Sequence, residues 1–180
     1  MFNLFNRKKE AGTNVKDIIW ISTEAKWKGL VELWKKNNDT VFIFWFDESL
    51  WQAEQSLAPH PTADMNFTAA REVHRHLTEN RPVVFAEHFP LKKKEQELFK
   101  DLGLEEVKVL SALDEPLFKK FGSDKIIQMM KQLGMNETES IQHSMITNAI
   151  QNAQEKIEKK LTIEQTAHSQ NEWIEKNVNP

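Results

Sequence analysis

Residues Val41 to Phe46 read VFIFWF, six apolar side chains in a row, followed by Asp47 and the mixed run ESLWQAEQSL. A short apolar run without alternation fits a strand covered on both faces, and a helix-period segment directly behind it makes one βα unit of a parallel sheet. Asp47 is the expected N-cap of that helix. Upstream, VKDIIWIS from Val15 to Ser22 is a β-branched and aromatic run. TEAKWKGLVELWKKN after it places Ala25, Trp27, Leu30, Val31 and Trp34 near helical spacing, with Thr23 as the expected N-cap. Downstream, APHPTADMN is a loop by its prolines, FTAAREVHRHLTEN reads as a helix, and RPVVFAEH, Arg81 to His88, reads as a third strand. LKKKEQELFKDLG is a helix stopped at Gly103, and EEVKVLS is a fourth strand. The expected fold is therefore α/β, with about four mainly parallel strands flanked by helices and right-handed crossovers.

Past Ser111 the strand signals end. Asp114 is positioned to cap a short helix with Pro116 in its first turn, and Ser123 to cap another that stops at Gly134. From about Thr138, residues Ile146, Ala149, Ile150, Ala153, Ile157 and Leu161 form one stripe, which predicts a single long amphipathic helix running to about Lys176. Such a stripe has to be covered by the sheet domain, by another chain, or by both. The expected organisation is a flexible tail over 1–14, an α/β domain over 15–112 and a helical extension over 113–180.

Composition narrows the chemistry. The chain has 180 residues, a formal net charge of -3 and a sequence pI near 6.1, which gives no overall attraction for nucleic acid. It has no cysteine, so thiol catalysis, disulfides and cysteine-bound zinc are excluded, and a reducing cytoplasm is the expected compartment. No apolar stretch approaches the roughly 20 residues of a membrane span, and the N-terminal MFNLFNRKKE is the reverse of a secretory signal. Phe2, Leu4 and Phe5 beside Arg7, Lys8 and Lys9 suit peripheral contact with a membrane surface or a partner, or simply a frayed end.

The stretch LSALDEPLFKKFGSDKIIQMMKQLGMNETESIQHSMITNAIQNAQEKIEKK, Leu110 to Lys160, resembles without gaps a segment of SecA, the ATPase motor of bacterial preprotein translocation. It is similar to the part where the family's second RecA-like lobe passes into its helical scaffold, with FGSD matching an FGSDR corner and MMKQLGM a LMERLGM helix. STEAKWKGLVELW, Ser22 to Trp34, resembles the TEEAKFKAVVE helix that opens that lobe. The resemblance spans roughly Val15 to Lys160, and the tail LTIEQTAHSQNEWIEKNVNP departs from the family. It implies a RecA-like sheet continuing into scaffold helices, with Phe118 and Phe121 wedged between the two.

The family's phosphate chemistry is not carried over. Phosphoryl transfer needs backbone N–H groups around the phosphates, a lysine with Mg²⁺, and arginines reaching the γ-phosphate. The chain contains no G-x-x-x-x-G-K-[ST], and no arginine follows Arg81. Counterparts of the family's TNMAGRGTDI-like loop and QLRGRSGRQG-like helix are missing as well. Lysines such as Lys92, Lys93 and Lys94 lack the bidentate fork of a guanidinium, and Phe46 stands where the family has a glycine. His74 and His76, two apart on an expected helix, face different directions and do not form a metal pair.

The expected role is that of a non-hydrolysing SecA-related interaction or accessory module, with no enzyme activity, no cofactor and no metal. Its partner would be a translocation component, a cargo protein or a second copy in a homodimer, met through Phe118, Phe121, Ile146, Ile150, Ile157 and Trp173. Two alternatives stand beside it. One is a nucleotide- or small-molecule-binding α/β protein using Asp47, Ser49, Glu87 and His88 near the strand C-terminal ends. The other is a structural fragment with no secretion role.

Overall fold

The computed structural model describes residues 12–58, 64–132 and 134–178. The N-terminal cluster of Phe2, Leu4, Phe5, Arg7, Lys8 and Lys9 lies outside them. Five strands, β1 (Asn14–Trp20), β2 (Val41–Phe44), β3 (Asn66–Ala69), β4 (Val83–Phe85) and β5 (Glu106–Ala112), form one sheet in the order β1-β5-β4-β2-β3. Every pairing is parallel. The opening run sits where its composition requires: all four residues of β2 are fully enclosed, with β4 on one side and β3 on the other.

Two layers of helix cover the sheet. On one face α1 (Thr23–Lys36) and α2 (Asp47–Leu57) enclose Trp27, Leu30, Phe42, Phe44, Val84 and Leu110. On the other, α4 (Lys92–Asp101) buries Phe99 against Val41, Ile43, Phe85 and Val109. Gly103, at φ 72°, lets the Leu104 N–H return to Phe99 O at 2.9 Å and ends α4 as the sequence predicts.

Several local expectations change. A fifth strand, β3, occupies the start of the segment read as a helix, of which only α3 (Arg75–Thr78) is helical. The reason is tertiary. The free edge of β2 offers unpaired backbone groups, and Phe67 of β3 packs edge-on against Phe42 and Phe44, at ring-centroid distances of 5.8 and 5.1 Å. The caps shift too. Ser22, not Thr23, caps α1 by accepting from Ala25 N, and the N-cap of α2 is Phe46 instead of Asp47. Glu115, instead of Asp114, is the N-cap of α5 (Pro116–Lys120). Asp114 instead accepts from the Thr23 N–H and hydroxyl across the top of the sheet, serving the first turn of α1.

The single long C-terminal helix is in fact two. After α6 (Ser123–Gln132) come α7 (Ser144–Glu158) and α8 (Gln170–Val178). Neither Gly nor Pro stands between α7 and α8. What bends the chain is burial: Trp173, 1% exposed, and Ile174 pack with Phe46, Phe89, Leu117 and Ile157 over the strand ends, a place a straight helix would pass by. Apart from Ala149, which is exposed, the stripe is therefore covered from within. Ile150 meets Ile19 and Leu113, Ile157 joins the Trp173 cluster, and Ile146 packs against the former group. Phe118 is half-buried between these two clusters, whereas Phe121, expected as its companion wedge, is 45% exposed beside Gly122. The β1 edge is closed by an antiparallel bridge in which Ile19 and Ile141 exchange both hydrogen bonds, at 3.0 and 2.8 Å. Among the described residues no helix is long and apolar enough to cross a membrane.

Replacing Trp173 by Ala should cost about 3–5 kcal/mol, the usual cost for a large aromatic in a closed core, and release α8 first. Urea unfolding, together with amide exchange at 170–178, checks both parts.

Candidate functional site

The chain leaves β2 through α2 toward β3 and leaves β4 through α4 toward β5, so the connections diverge above these neighbouring strands. Such a divergence leaves a crevice at the strand C-terminal ends, the usual place for a ligand on an open parallel sheet. Here it is filled by a side chain of the protein itself. Glu87, two residues after the end of β4 and 4% exposed, turns its carboxyl group to the entry of α2. Its Oε1 accepts from the Trp45 and Phe46 N–H groups, both at 3.0 Å, and from the Ser49 hydroxyl. These unpaired donors at a helix start are what an anion would use. Glu87 thus holds the backbone that enters α2, whose own first turn has no side-chain cap. The Asp47 carboxyl instead lies with Arg71, which holds it below the usual carboxylate range, and with His168 Nδ1 at 3.1 Å.

Two buried ionic clusters flank this plug. Toward α1, Lys26 Nζ donates to Ala86 O at 2.9 Å, pairs with Glu115, and stands 4.0 Å from the centroid of the Trp27 ring. Toward α4, His88 is bracketed by two carboxylates: Nε2 lies 2.7 Å from Asp17 Oδ1 and Nδ1 lies 2.9 Å from Glu95 Oε1. Burial works against a charged imidazole, but Glu95 and Asp17 outweigh it and raise His88 to about 10, so the ring is a cation. Burial likewise pushes Glu87 up to about 7, against the pull of Lys26 and the Ser49 hydroxyl.

The C-terminal helices are pinned to the same layer. Gln154 of α7 donates to Phe89 O and to Glu95 Oε2, both at 2.8 Å. Gln170 of α8 donates to His88 O at 3.2 Å and accepts from Leu117 N at 2.8 Å. Of the four candidate ligand residues, then, Glu87 and Ser49 touch each other, Asp47 lies on the outer rim, and His88 is enclosed and fully engaged. Of the six candidate contact residues, Ile150, Ile157 and Trp173 are buried within the chain. Sequence reasoning missed Asp17, Lys26, Glu95, Glu115, Gln154 and Gln170. One signal was available: Gln154 is four residues after Ile150 and three before Ile157, in phase with the buried stripe.

Two cavities border the plug. The larger, about 660 Å³, has a floor of Trp45, Phe46, Phe89 and Trp173 under a rim that includes Arg71 and Lys94. The smaller, about 200 Å³, lies on the α1 side. Among the described residues no group of three His, Cys, Asp or Glu side chains could hold a metal ion.

No family model matches the chain. A 47-residue segment, 26% of the chain, is 49% identical to protein translocase subunit SecA of Acidithiobacillus ferrooxidans and to that of Methylococcus capsulatus, and 51% identical to that of Maridesulfovibrio salexigens. The match covers 5% to 6% of the length of those proteins. The similarity supports a relationship to SecA through this segment.

Both shifted groups make stability fall as pH rises. His88, raised above its ordinary 6.5, contributes fully below that value and loses its contribution as pH climbs through about 10. Glu87, an acid raised above its ordinary 4.5, favours the fold most when neutral and loses that advantage between about 4.5 and 7. Glu87→Gln should flatten the dependence of Tm on pH over the lower window and leave the upper one intact. His88→Leu should cost about 3–5 kcal/mol by leaving two buried carboxylates without their cation. Thermal melts across pH 4.5–10 test both.

Proposed function

We propose that the chain is a non-hydrolysing, SecA-related accessory or interaction module that acts on a protein partner in translocation, in the cytoplasm. The observation that carries this reading is the Glu87 carboxylate seated on the Trp45 and Phe46 N–H groups and the Ser49 hydroxyl. A phosphate entering this crevice would have to expel a tethered carboxylate and take its place between buried acids, with no glycine-rich loop to offer more donors. The absence of a P-loop lysine motif and of any arginine after Arg81 argues the same way.

The choice of partner rests on the SecA-similar segment, since the matched proteins are by name translocase subunits. The exposed apolar side chains nearest the FG corner, Phe121, Ile126 and Met129, offer a contact surface that the buried stripe does not. A second reading, a nucleotide- or small-molecule-binding protein, is favoured by the 660 Å³ cavity. Its size falls in the roughly 300–1,000 Å³ range of ligand sites, and it opens at the crevice mouth.

Under the first reading, ATP or ADP with Mg²⁺ leaves Tm unchanged and no ATP is turned over, while tagged protein co-purifies a translocase component from its native cell. By mass action a nucleotide at about 100 times its Kd would add roughly 2.7 kcal/mol, so a clear thermal shift would favour the second reading. Glu87→Ala should free the cradle and allow inorganic phosphate to stabilise the protein, an effect absent from the parent chain.

A further inference from the structure

Among the described residues six large apolar side chains are exposed, and four of them fall in two places, α2 and the corner between α5 and α6. On α2 it is Trp51, 59% exposed; Glu48 and Glu54 lie three residues to either side of it and share its outward face. At the corner they are Phe121, Ile126 and Met129, the last 54% exposed, with Ile126 and Met129 one turn apart on α6 and Lys125 on the same face. Charge separates the two patches. α2 holds Asp47, Glu48 and Glu54 and no basic residue, whereas the segment from Pro116 to Gln132 holds Lys119, Lys120, Lys125 and Lys131 against Asp124 alone. Asp47 is paired with Arg71 and Lys131 with Glu137, but Glu48, Glu54, Lys119 and Lys125 have no ion-pair partner among the described residues. The patches also lie on opposite flanks. α2 packs on β2 and β3 at one edge of the sheet, while the inner side of α6, Ile127 and Met130, packs into the cluster around Ile19 at the β1 edge.

We propose that these two patches bind each other between copies of the chain, the acidic Trp51 face of one copy receiving the basic α6 face of the next. Clustered apolar side chains rimmed by charge mark a protein contact, and the signs of the rims choose the occupant. Two α6 faces would bring lysines together and two α2 faces glutamates, so like patches repel and unlike patches attract. A contact between different patches is heterologous. With the patches on opposite flanks, each pair leaves one of either kind free, and the assembly continues head to tail. The proposal rests on α6 being a contact surface, as in the function proposed above, and makes a second copy an occupant of it.

Sedimentation velocity of the intact chain over about two decades of concentration tests this. The weight-average mass should rise with concentration past that of a dimer and fall back as salt is raised, since the pairing charges are exposed. Trp51→Ser and Met129→Ser, both on outward faces, should keep Tm near the parent value and each weaken association roughly tenfold or more. Mixed in equal amounts, the two variants should associate again as a one-to-one dimer and nothing larger, because the α6 of the Trp51→Ser chain meets the intact α2 of the Met129→Ser chain and neither free end can extend. A parent chain that stays monomeric throughout, association indifferent to salt, or a mixture of the folded variants no more associated than each alone would overturn the proposal. A monomeric parent that still co-purifies a translocase component would overturn it and leave the proposed function standing, whereas a self-associating chain that captures no such component would do the reverse.

Discussion

A protonated histidine held between two carboxylates, with almost no access to water, is the contact on which the architecture depends. Asp17 comes from β1, His88 from the end of β4, and Glu95 from α4, so one ionic triad joins the edge of the sheet to its middle and to a covering helix. Charges removed from water cost several kcal/mol each unless they meet partners in good geometry. That cost acts as a constraint: a shift in any of the three elements leaves an uncompensated charge in a dry interior. Gln154 completes the arrangement by donating to Glu95 Oε2 while His88 and the Phe89 N–H hold Oε1, which extends the constraint to α7.

The strand ends, where comparable sheets keep room for ligands, are closed by the same logic. Glu87 supplies the acceptor for the Trp45 and Phe46 N–H groups at the entry to α2, and Lys26 supplies the donor for Glu115 and for the carbonyl of Ala86. Helix starts and sheet termini carry unpaired donors and acceptors that must be answered somewhere. In this chain they are largely answered from within, by side chains on neighbouring loops. Two cavities survive beside the plug, each walled by aromatic rings and acids together.

The helical extension is part of the core and not a free arm. Its apolar residues complete two clusters that would otherwise be open, one around Ile19 and Leu113 and one around Phe46 and Phe89. Its two buried glutamines donate to the successive carbonyls of His88 and Phe89. With the long stripe covered, apolar side chains are exposed instead at α6 and the corner at Gly122, where Phe121, Ile126 and Met129 face outward.

By itself the sequence determined the alternation of strand and helix. VFIF within VFIFWF is a strand covered on both faces, Gly103 and Gly134 follow helix ends, and the spacing from Ile146 to Ile157 is that of an amphipathic helix seeking cover. These are local signals, carried by neighbours within a few residues. What the tertiary structure decided are matters of long-range pairing. NFTA became a strand because β2 had a free edge and two phenyl rings to receive Phe67. The C-terminal helix broke where no Gly or Pro breaks it, because Trp173 had a place to go. Glu87 and Asp114 left their expected local surroundings because their acceptors met donors at distant positions in the chain, Glu87 those of Trp45 and Phe46 and Asp114 those of Thr23. The ionic layer was the least legible of all. Lys26, Asp17 and Glu115 look like ordinary surface charges in sequence, and only the meeting of residues up to about ninety positions apart gives each a reason to be buried.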